Sequence, residues 1–346
     1  MFDEKLSANY QEKIMEPIPV NMREGGWFWW FWLFFIENPE DPDRPRQLMI
    51  LWSTKQDKAI ICNDVEMVLD HSIRKDTGGM KSDGAVAAWF FDGERMHHNF
   101  VLEQCLLEIE KNTLYSRSKT PTSFWADKDR YSVKIGKDIE FNMKLADKNE
   151  FSMPNLHHNE YLKGKFSYTI LKMNKLALDG KLNGEKIKGS AYFQKVYVNA
   201  PSPPWYWGIF HFDDGSILTY FRPNLGRLLR EKAIKKEITF FHNGKLHALK
   251  DIKIKKERTK DYPIFHVSGQ DERVEISFEV HTYTHSSWVF RKRMFGKGPK
   301  TKLDYGEYPA IIENFVMTDK KSGLSIDQSA LGRGVGNAEH TRGILF

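Results

Sequence analysis

Apolar and polar residues alternate over short segments along most of this chain of 346 residues. A period of two is typical of β-strands that bury one face and expose the other. Asn-Gly, Asp-Gly and Asp-Asp-Gly sequences, Asp179-Gly180 among them, separate several of the segments. Such sequences favour the tight turns of β-hairpins. Because windows with helical periodicity are scarce, the pattern predicts an all-β sandwich or barrel.

One segment departs from this alternation. Trp27 to Phe35 reads WFWWFWLFF, and eight of its nine residues are aromatic. The apolar stretch is too short for a membrane-spanning helix, which needs about 20 residues. A spanning strand of a closed barrel would alternate apolar and polar residues. We therefore expect a strand buried on both faces, one face in a core and the other lining an apolar cavity.

The length and the breaks in the pattern suggest two domains. Residues 222–226, Arg-Pro-Asn-Leu-Gly, interrupt the succession of strands. We place the domain boundary there, which gives domains of residues 1–225 and 226–346. Aromatic residues make up 14% of the chain, and both strands and apolar ligand pockets favour them.

The net charge of +6 is concentrated in two segments. Residues 227–260 carry twelve Lys and Arg against four acids, and residues 291–302 carry six basic residues and no acid. These are either solvated strand edges and loops or a peripheral contact with a membrane surface. Because no nucleic-acid-binding motif accompanies the charge, we expect no nucleic-acid partner.

The two cysteines, Cys62 and Cys105, define no disulfide framework, which favours a reducing compartment. The first residues are acidic and polar and do not read as a signal peptide. We expect a cytoplasmic protein, with a possible peripheral association with a membrane.

The segment from Gly189 to Pro223 resembles the signature region of the AttH-like and carotenoid 1,2-hydratase-like proteins. The resemblance rests on Ala191-Tyr192, Trp205-Tyr206-Trp207, Asp213-Asp214-Gly215 and Tyr220, and upstream on Asp179-Gly180, Gly189 and the Glu24-to-Trp30 opening. It implies two lipocalin-like β-barrels or half-barrels packed together, with a ligand cavity near their interface. It also implies large apolar substrates, which members hydrate or cyclise.

The chain departs from this family pattern at one point. Where the hydratases carry Asp-His-x-Trp, it has Gln194, Lys195, Val196 and Tyr197. Hydration of an isolated alkene begins with protonation, which needs a carboxylic acid of raised pKa in a dry pocket. Gln194 cannot supply that proton. Either the acid comes from elsewhere or the chemistry differs.

Alternation along the strands suggests which side chains reach a cavity. We expect an aromatic box with a few polar groups; its candidate ligand-binding residues are Trp27, Trp29, Gln194, Trp205, Trp207, Tyr220, His281 and Tyr283. The alternative for each is an ordinary packed core position. His281 and His285 lie too far apart along a strand for one metal ion, at about 13 Å, so we expect no metal site.

The candidate catalytic residues are Glu24, His211, Lys195 and Tyr197. Glu24 would protonate the substrate from the mouth of the aromatic strand, and the other three would place water or a polar end group. Glu307 and Glu339 are further candidate acids, since a carboxyl beside aromatic rings has a raised pKa.

Two main functions follow. The first is a cofactor-free enzyme, a hydro-lyase or an isomerase or cyclase, that binds a large isoprenoid-like or carotenoid-like molecule and transforms it by acid-assisted hydration or cyclisation. The second is a non-catalytic carrier of lipid or carotenoid at a membrane surface. A structural or assembly protein is a third class. A buried carboxyl facing the cavity would favour the enzyme.

Overall fold

The computed structural model describes residues 12–16, 22–69, 74–76, 79–145, 149, 151–161, 166–200, 202–223, 236–293 and 300–345. The strands of the first half are β1 (Trp27–Ile36), β2 (Arg46–Lys55), β3 (Ala59–Cys62), β4 (Val65–Val68), β5 (Arg74–Asp76), β6 (Gly79–Phe91), β7 (Met96–Glu110), β8 (Thr113–Arg117), β9 (Thr122–Asp127), β10 (Arg130–Ile135), β11 (Ile139–Leu145), β12 (Asn155–Tyr161), β13 (Phe166–Leu182) and β14 (Glu185–Asn199).

The strands that follow are β15 (Trp205–Phe212), β16 (Ile217–Pro223), β17 (Glu237–His242), β18 (Lys245–Leu249), β19 (Asp251–Glu257), β20 (Ile264–Gln270), β21 (Val274–Thr282), β22 (Ser286–Arg293), β23 (Lys300–Asp319), β24 (Ser325–Asp327) and β25 (Gly334–Ile344). A short helix, Gln328–Leu331, precedes the last strand. The prediction of an all-β protein is confirmed.

The first sheet closes into an antiparallel barrel of ten strands. Its order is β1, β2, β6, β7, β8, β9, β10, β11, β13 and β14, and β14 pairs again with β1. The last hairpin turns on Asn183-Gly184, whose φ angles of 51° and 84° are those of a type I′ turn. The predicted turn at Asp179-Gly180 is wrong. Gly180 lies inside β13, where a side chain would overlap the Glu140 carbonyl of β11, so a glycine is needed for barrel closure.

The aromatic strand β1 is buried on both faces, as predicted. The even-numbered residues, Phe28, Trp30, Trp32 and Phe34, fill the interior of the barrel. The odd-numbered residues Trp27, Phe31, Leu33 and Phe35 belong to a second core, which lies between the two sheets. Burying each such side chain contributes roughly 1.5–3 kcal/mol. The expected cavity face is mostly packed core, although Trp29 lines a cavity.

The second sheet follows the order β18, β17, β16, β15, β25, β23, β21, β20 and β19. Its inner face holds a third core, which includes Phe210, Tyr220, Phe240 and Phe278. The β3–β4 hairpin from the first half of the chain joins this sheet by pairing with β22.

The chain passes from the first sheet to the second between Asn199 and Trp205. The boundary that the sequence suggested, near residue 225, lies later in the chain than this passage, since β15 and β16 already belong to the second sheet. Residues 222 and 223 of the suggested break are the end of β16, and residues 224–226 lie outside the described residues. In the described part of the chain, no helix is long and apolar enough to span a membrane.

Candidate functional site

A cavity of about 270 Å³ lies between the two sheets. The first sheet contributes wall residues from β1, β12, β13 and β14, and the second from β15, β16, β17 and β25. Its wall includes the aromatic residues Trp29, Tyr168, Tyr192, Trp205, Trp207 and Phe221, and the polar residues His157, Asn159, Lys172, Gln194, Glu237 and Glu339. The cavity thus combines an apolar surface with a few polar groups, as ligand pockets commonly do.

Strand alternation decides which side chains reach this cavity. On β14, Tyr192 and Gln194 point into it, and the Tyr192 hydroxyl donates to Gln194 Oε1 at 3.1 Å. On β15, Trp205 and Trp207 do the same, and the rings of Trp207 and Tyr192 lie 5.3 Å apart. The structure therefore brings together four of the predicted ligand-binding residues: Trp29, Gln194, Trp205 and Trp207.

The other predicted ligand-binding residues lie elsewhere. Trp27 packs in the core between the sheets, against Phe290. Tyr220 pairs with Gly208 across the strands and so lies on the inner face of the second sheet, away from the cavity. The Nε2 atom of His281 lies within hydrogen-bond distance of Glu279 Oε2, at 2.8 Å.

Tyr283 also lies away from the cavity. Its hydroxyl donates to the Pro45 carbonyl at 3.0 Å and accepts from Gln47 at 2.8 Å. Tyr283 follows directly after β21 of the second sheet and Gln47 lies on β2 of the first, so the hydrogen bond between them links the two sheets.

The predicted catalytic residues are also separated from the cavity. Glu24 is exposed in the turn before β1, which does not fit a buried proton donor. Lys195 and Tyr197 lie on the barrel face of β14, opposite Gln194. The Lys195 ammonium donates to the carbonyls of Lys13 and Glu16, at 2.5 and 2.9 Å, and burial lowers its pKa to about 7.

His211 is a structural residue of the core between the sheets. Its Nε2 lies 2.6 Å from the Asn174 carbonyl, so this nitrogen carries the proton, and Nδ1 accepts from the Ser190 hydroxyl at 2.7 Å. Burial lowers the pKa of His211 to about 3, helped by the charge of Lys175. The imidazole is therefore neutral at physiological pH.

Glu307 and Glu339, the two further candidate acids of the sequence analysis, are both buried. Glu307 of β23 and Glu339 of β25 are directly opposite each other in the strand register. Glu339 lines the cavity, and its Oε2 accepts from the Trp205 indole at 2.7 Å. Tyr305 Oη lies 2.7 Å from Glu339 Oε1 and 2.5 Å from Glu307 Oε1. Asn337 Nδ2 donates to Glu307 Oε2 at 2.5 Å.

This geometry requires at least one proton on the pair. The Tyr305 hydroxyl has one hydrogen and can donate to one carboxylate, so the other carboxyl must donate to Tyr305. Burial raises the pKa of Glu307 well above its usual range, and the charge of Glu339 raises it further. Burial also raises the pKa of Glu339, against the lowering effect of the bonds from Trp205 and Tyr305. We therefore place the proton on Glu307, with Tyr305 linking it to Glu339.

The sequence contains a signal for this cluster. Tyr305 and Glu307 are two residues apart, as are Asn337 and Glu339, so each pair shares one face of its strand. A polar pair on the buried face of an otherwise apolar strand indicates that a second polar pair faces it. Which strand provides that partner depends on the sheet order.

The two basic segments are partly described. Residues 227–235 and 294–299 lie outside the described residues. In the described parts, Lys292 forms an ion pair with Asp57 at 2.9 Å, and Arg291 pairs with Asp64.

Within the residues that the structure places, no group of three or more His, Cys, Asp or Glu side chains could hold a metal ion.

The fold is similar to two solved structures. A putative AttH from Nitrosomonas europaea is 13% identical over 92% of this chain and 92% of that chain, with a TM-score of 0.50. CghA, in a structure with Sch210972, is 8% identical over 92% of this chain and 88% of that chain, with a TM-score of 0.42. The expected resemblance to AttH-like proteins is confirmed as a similarity of fold. No protein-family model and no curated protein matches the chain.

Proposed function

We propose that the cavity between the two sheets binds a hydrophobic, isoprenoid-like molecule and that Glu339 exchanges a proton with it. The observation that carries this proposal is a buried carboxyl in an aromatic cavity wall, linked through Tyr305 to a second buried carboxyl. The reaction is hydration or cyclisation of an alkene by acid–base catalysis, without a cofactor.

The proton moves in a closed cycle. Protonated Glu339 transfers its proton to an alkene carbon and leaves a tertiary carbocation. Either water adds to the cation or a second double bond of the substrate attacks it. The proton that is then lost returns to Glu339. The faces of Trp29, Trp205 and Trp207 stabilise the cation in the meantime, since aromatic rings attract positive charge.

Tyr305 and Glu307 are positioning residues in this scheme. Neither lines the cavity, but Tyr305 connects the two carboxyls by contacts of 2.5 and 2.7 Å. A proton on Glu307 can reach Glu339 by a shift through the Tyr305 hydroxyl. Because both pKa values are raised, the pair keeps protons at a pH where exposed glutamates have none.

The cavity volume limits the ligand. Pockets for drug-sized molecules enclose about 300–1,000 Å³, and this cavity encloses about 270 Å³. A whole carotenoid therefore extends beyond the cavity. We expect the cavity to hold a short isoprenoid or the reacting end of a longer one.

Binding is tested by titrating the protein with geraniol, farnesol and geranylgeraniol while its tryptophan fluorescence is recorded. We expect saturable quenching that Trp207→Ala abolishes. Trp125→Ala is the matched control, because Trp125 is half-buried on β9 and does not line the cavity. If none of the three alcohols binds saturably, the proposed ligand class is wrong.

Catalysis is tested by incubating the bound alcohol with protein in ¹⁸O-labelled water. Labelled product indicates hydration, and unlabelled product of unchanged mass indicates cyclisation. Glu339→Gln should abolish both, whereas Glu275→Gln, a change at an exposed position of β21, should have no effect. Product formation that survives Glu339→Gln would contradict the role of this carboxyl.

A non-catalytic carrier is the second candidate, and one observation favours it. Gln194 is the wall residue at the position where the resembled hydratases have an acidic group, and it cannot protonate an alkene. Tight binding of an isoprenoid without turnover, equal in the wild type and Glu339→Gln, would establish the carrier.

A further inference from the structure

The inner face of the second sheet changes from apolar to basic at one end. On β19, Ile252 and Ile254 belong to or pack against the core of this sheet, and Lys256 continues the same row. Arg258 follows two residues later. Because alternate residues of a strand share a face, Lys256 stands where a further apolar residue would extend the core.

Strand β25 repeats this change next to it. Ala338 is buried in the core, His340 follows on the same face, and then Arg342. The His340 ring stacks on the Tyr206 ring, with a centroid separation of 4.4 Å and an interplanar angle of 6°. Two rows of basic residues therefore meet above an aromatic floor, with Lys256 and His340 on the inner side and the exposed residues Arg258 and Arg342 at the rim.

These residues line a second cavity, of about 410 Å³. Its wall includes Tyr206, Lys256, Arg258, His340, Arg342 and Gly343. It lies on the opposite face of β15 and β25 from the cavity that contains Glu339. Lys256 is held in place: its ammonium lies 5.4 Å from the centroid of the Phe265 ring and 5.2 Å from that of Tyr308.

Among the described residues, no carboxylate forms an ion pair with Lys256, Arg258 or Arg342. Asp304 is opposite Arg342 in the strand register, but its carboxylate is paired with Lys302 at 2.8 Å. The pocket wall contains no Asp or Glu.

The pKa values of the pocket residues reflect the same arrangement. Burial, together with the charges of Arg342 and Arg258, lowers the pKa of Lys256 to about 8. Burial also lowers the pKa of His340 to about 4, together with the charges of Lys256 and Arg342. Within the part of the chain that the structure describes, no acid raises the pKa of either group.

We propose that this pocket binds a phosphate-bearing ligand. Two guanidinium groups and an ammonium converge on one cavity, and Arg and Lys are the residues that recognise phosphate oxygens. A phosphate group carries a charge of about −1.5 to −2 at neutral pH, which three cations match better than they match one carboxylate. The Tyr206–His340 stack offers an apolar surface for the group that carries the phosphate.

The proposal is tested by isothermal titration calorimetry of the full-length chain with sodium diphosphate, and with sodium acetate as a singly charged comparison. We expect diphosphate to bind and acetate to bind at least about tenfold more weakly. Lys256→Gln and Arg342→Gln should each weaken diphosphate binding by about tenfold or more. Thermal unfolding without ligand shows whether each variant is folded.

Lys253→Gln is the matched control, because Lys253 lies on the exposed face of the same strand. It removes the same charge and should leave diphosphate binding unchanged. If Lys253→Gln weakens diphosphate binding as much as Lys256→Gln does, the pocket is not the site at which diphosphate binds.

The phosphate can belong to a soluble molecule or to a lipid headgroup. Co-sedimentation with phosphatidylcholine vesicles, with and without phosphatidylglycerol, distinguishes the two sources. Vesicle binding that needs phosphatidylglycerol and is lost in Arg342→Gln supports a headgroup. Diphosphate binding without vesicle binding supports a soluble ligand. The proposal is overturned if neither probe binds in a manner that depends on Lys256 and Arg342.

Discussion

Glu307 and Glu339 are joined by one hydroxyl group. Tyr305 Oη lies 2.5 Å from the first carboxyl and 2.7 Å from the second, and both carboxyls are buried. Two carboxylates in such a site cannot both be charged without a large penalty, because little solvent screens their repulsion. The stability of the fold is therefore coupled to the protonation of this pair.

Glu307→Gln should change the pH dependence of stability. The folded-state pKa of Glu307 is raised above that of the unfolded chain. The protonated carboxyl therefore makes its full contribution to the free energy of unfolding below about pH 4.3, and this contribution is lost as the pH rises. The variant side chain stays neutral. Relative to the wild type, the free energy of unfolding of the variant should therefore rise by up to about 1.4 kcal/mol per pH unit as the pH increases. Asn337 Oδ1 has no hydrogen-bond partner among the described residues, and it can accept from the new amide after the Asn337 side chain turns.

The measurement is urea denaturation of both proteins at about pH 5 and about pH 8, with stability compared between them. The difference between variant and wild type should be larger at the higher pH. Equal differences at the two pH values would show that Glu307 is ionised in the native state.

Tyr305→Phe should separate the two carboxyls. It removes the hydroxyl that donates to one carboxyl and accepts from the other, and leaving a buried polar group unsatisfied costs about 1–3 kcal/mol in the free energy of unfolding. If the protein catalyses the proposed reaction, the variant also loses the proton path from Glu307 to Glu339. Its turnover rate should then fall more than its affinity for the substrate does. A variant with unchanged turnover and a normal pH profile would rule out the proposed relay.

The acid sensitivity of the core between the sheets should depend on His211. The folded-state pKa of His211 is lowered to about 3. The neutral imidazole therefore stabilises the fold above its pKa in the unfolded chain, about 6.5, and this contribution to the free energy of unfolding is lost as the pH falls. Between about pH 6.5 and pH 5, this loss amounts to about 2 kcal/mol. His211→Gln cannot be protonated in this range and should show a shallower decline, measured by urea denaturation across the range. Parallel declines in the two proteins would contradict the prediction.

Gly208→Ala should destabilise the second sheet. A Cβ atom at this position would lie 2.5 Å from Cε1 of the Tyr220 ring. Overpacking of this kind costs typically about 1–3 kcal/mol. Because the clash is with one ring, the cost should be smaller in a Tyr220→Leu background, and a double-mutant cycle measured by urea denaturation gives the coupling. Additive effects would show that the backbone, not the ring, limits the space.

Much of the fold could be predicted because its signals are local. The alternation of apolar and polar residues indicated strands, and Asn183-Gly184 indicated a hairpin. The double burial of β1 followed from its composition, since aromatic side chains on both faces of a strand need two cores. Alternation also placed Gln194 opposite Lys195, and Trp205 on the same face as Trp207.

The candidate site was harder to predict because it depends on pairing between distant segments. Tyr220 was assigned to the cavity, but its pairing with Gly208 turns it into the core of the second sheet. Glu24 was preferred as the acid for its place beside the aromatic strand, yet the turn that contains it is exposed. Neither outcome is encoded in the residues next to these positions.

The sequence by itself determined the class of secondary structure, the burial of the aromatic strand and the faces on which neighbouring side chains lie. These properties depend on strand geometry and on contacts close along the chain. Only the tertiary structure decided which strands are neighbours, and therefore which acid lines the cavity. Glu307 and Glu339 meet because β23 pairs with β25 in one register, and a shift of one residue would turn either carboxyl to the other face of the sheet.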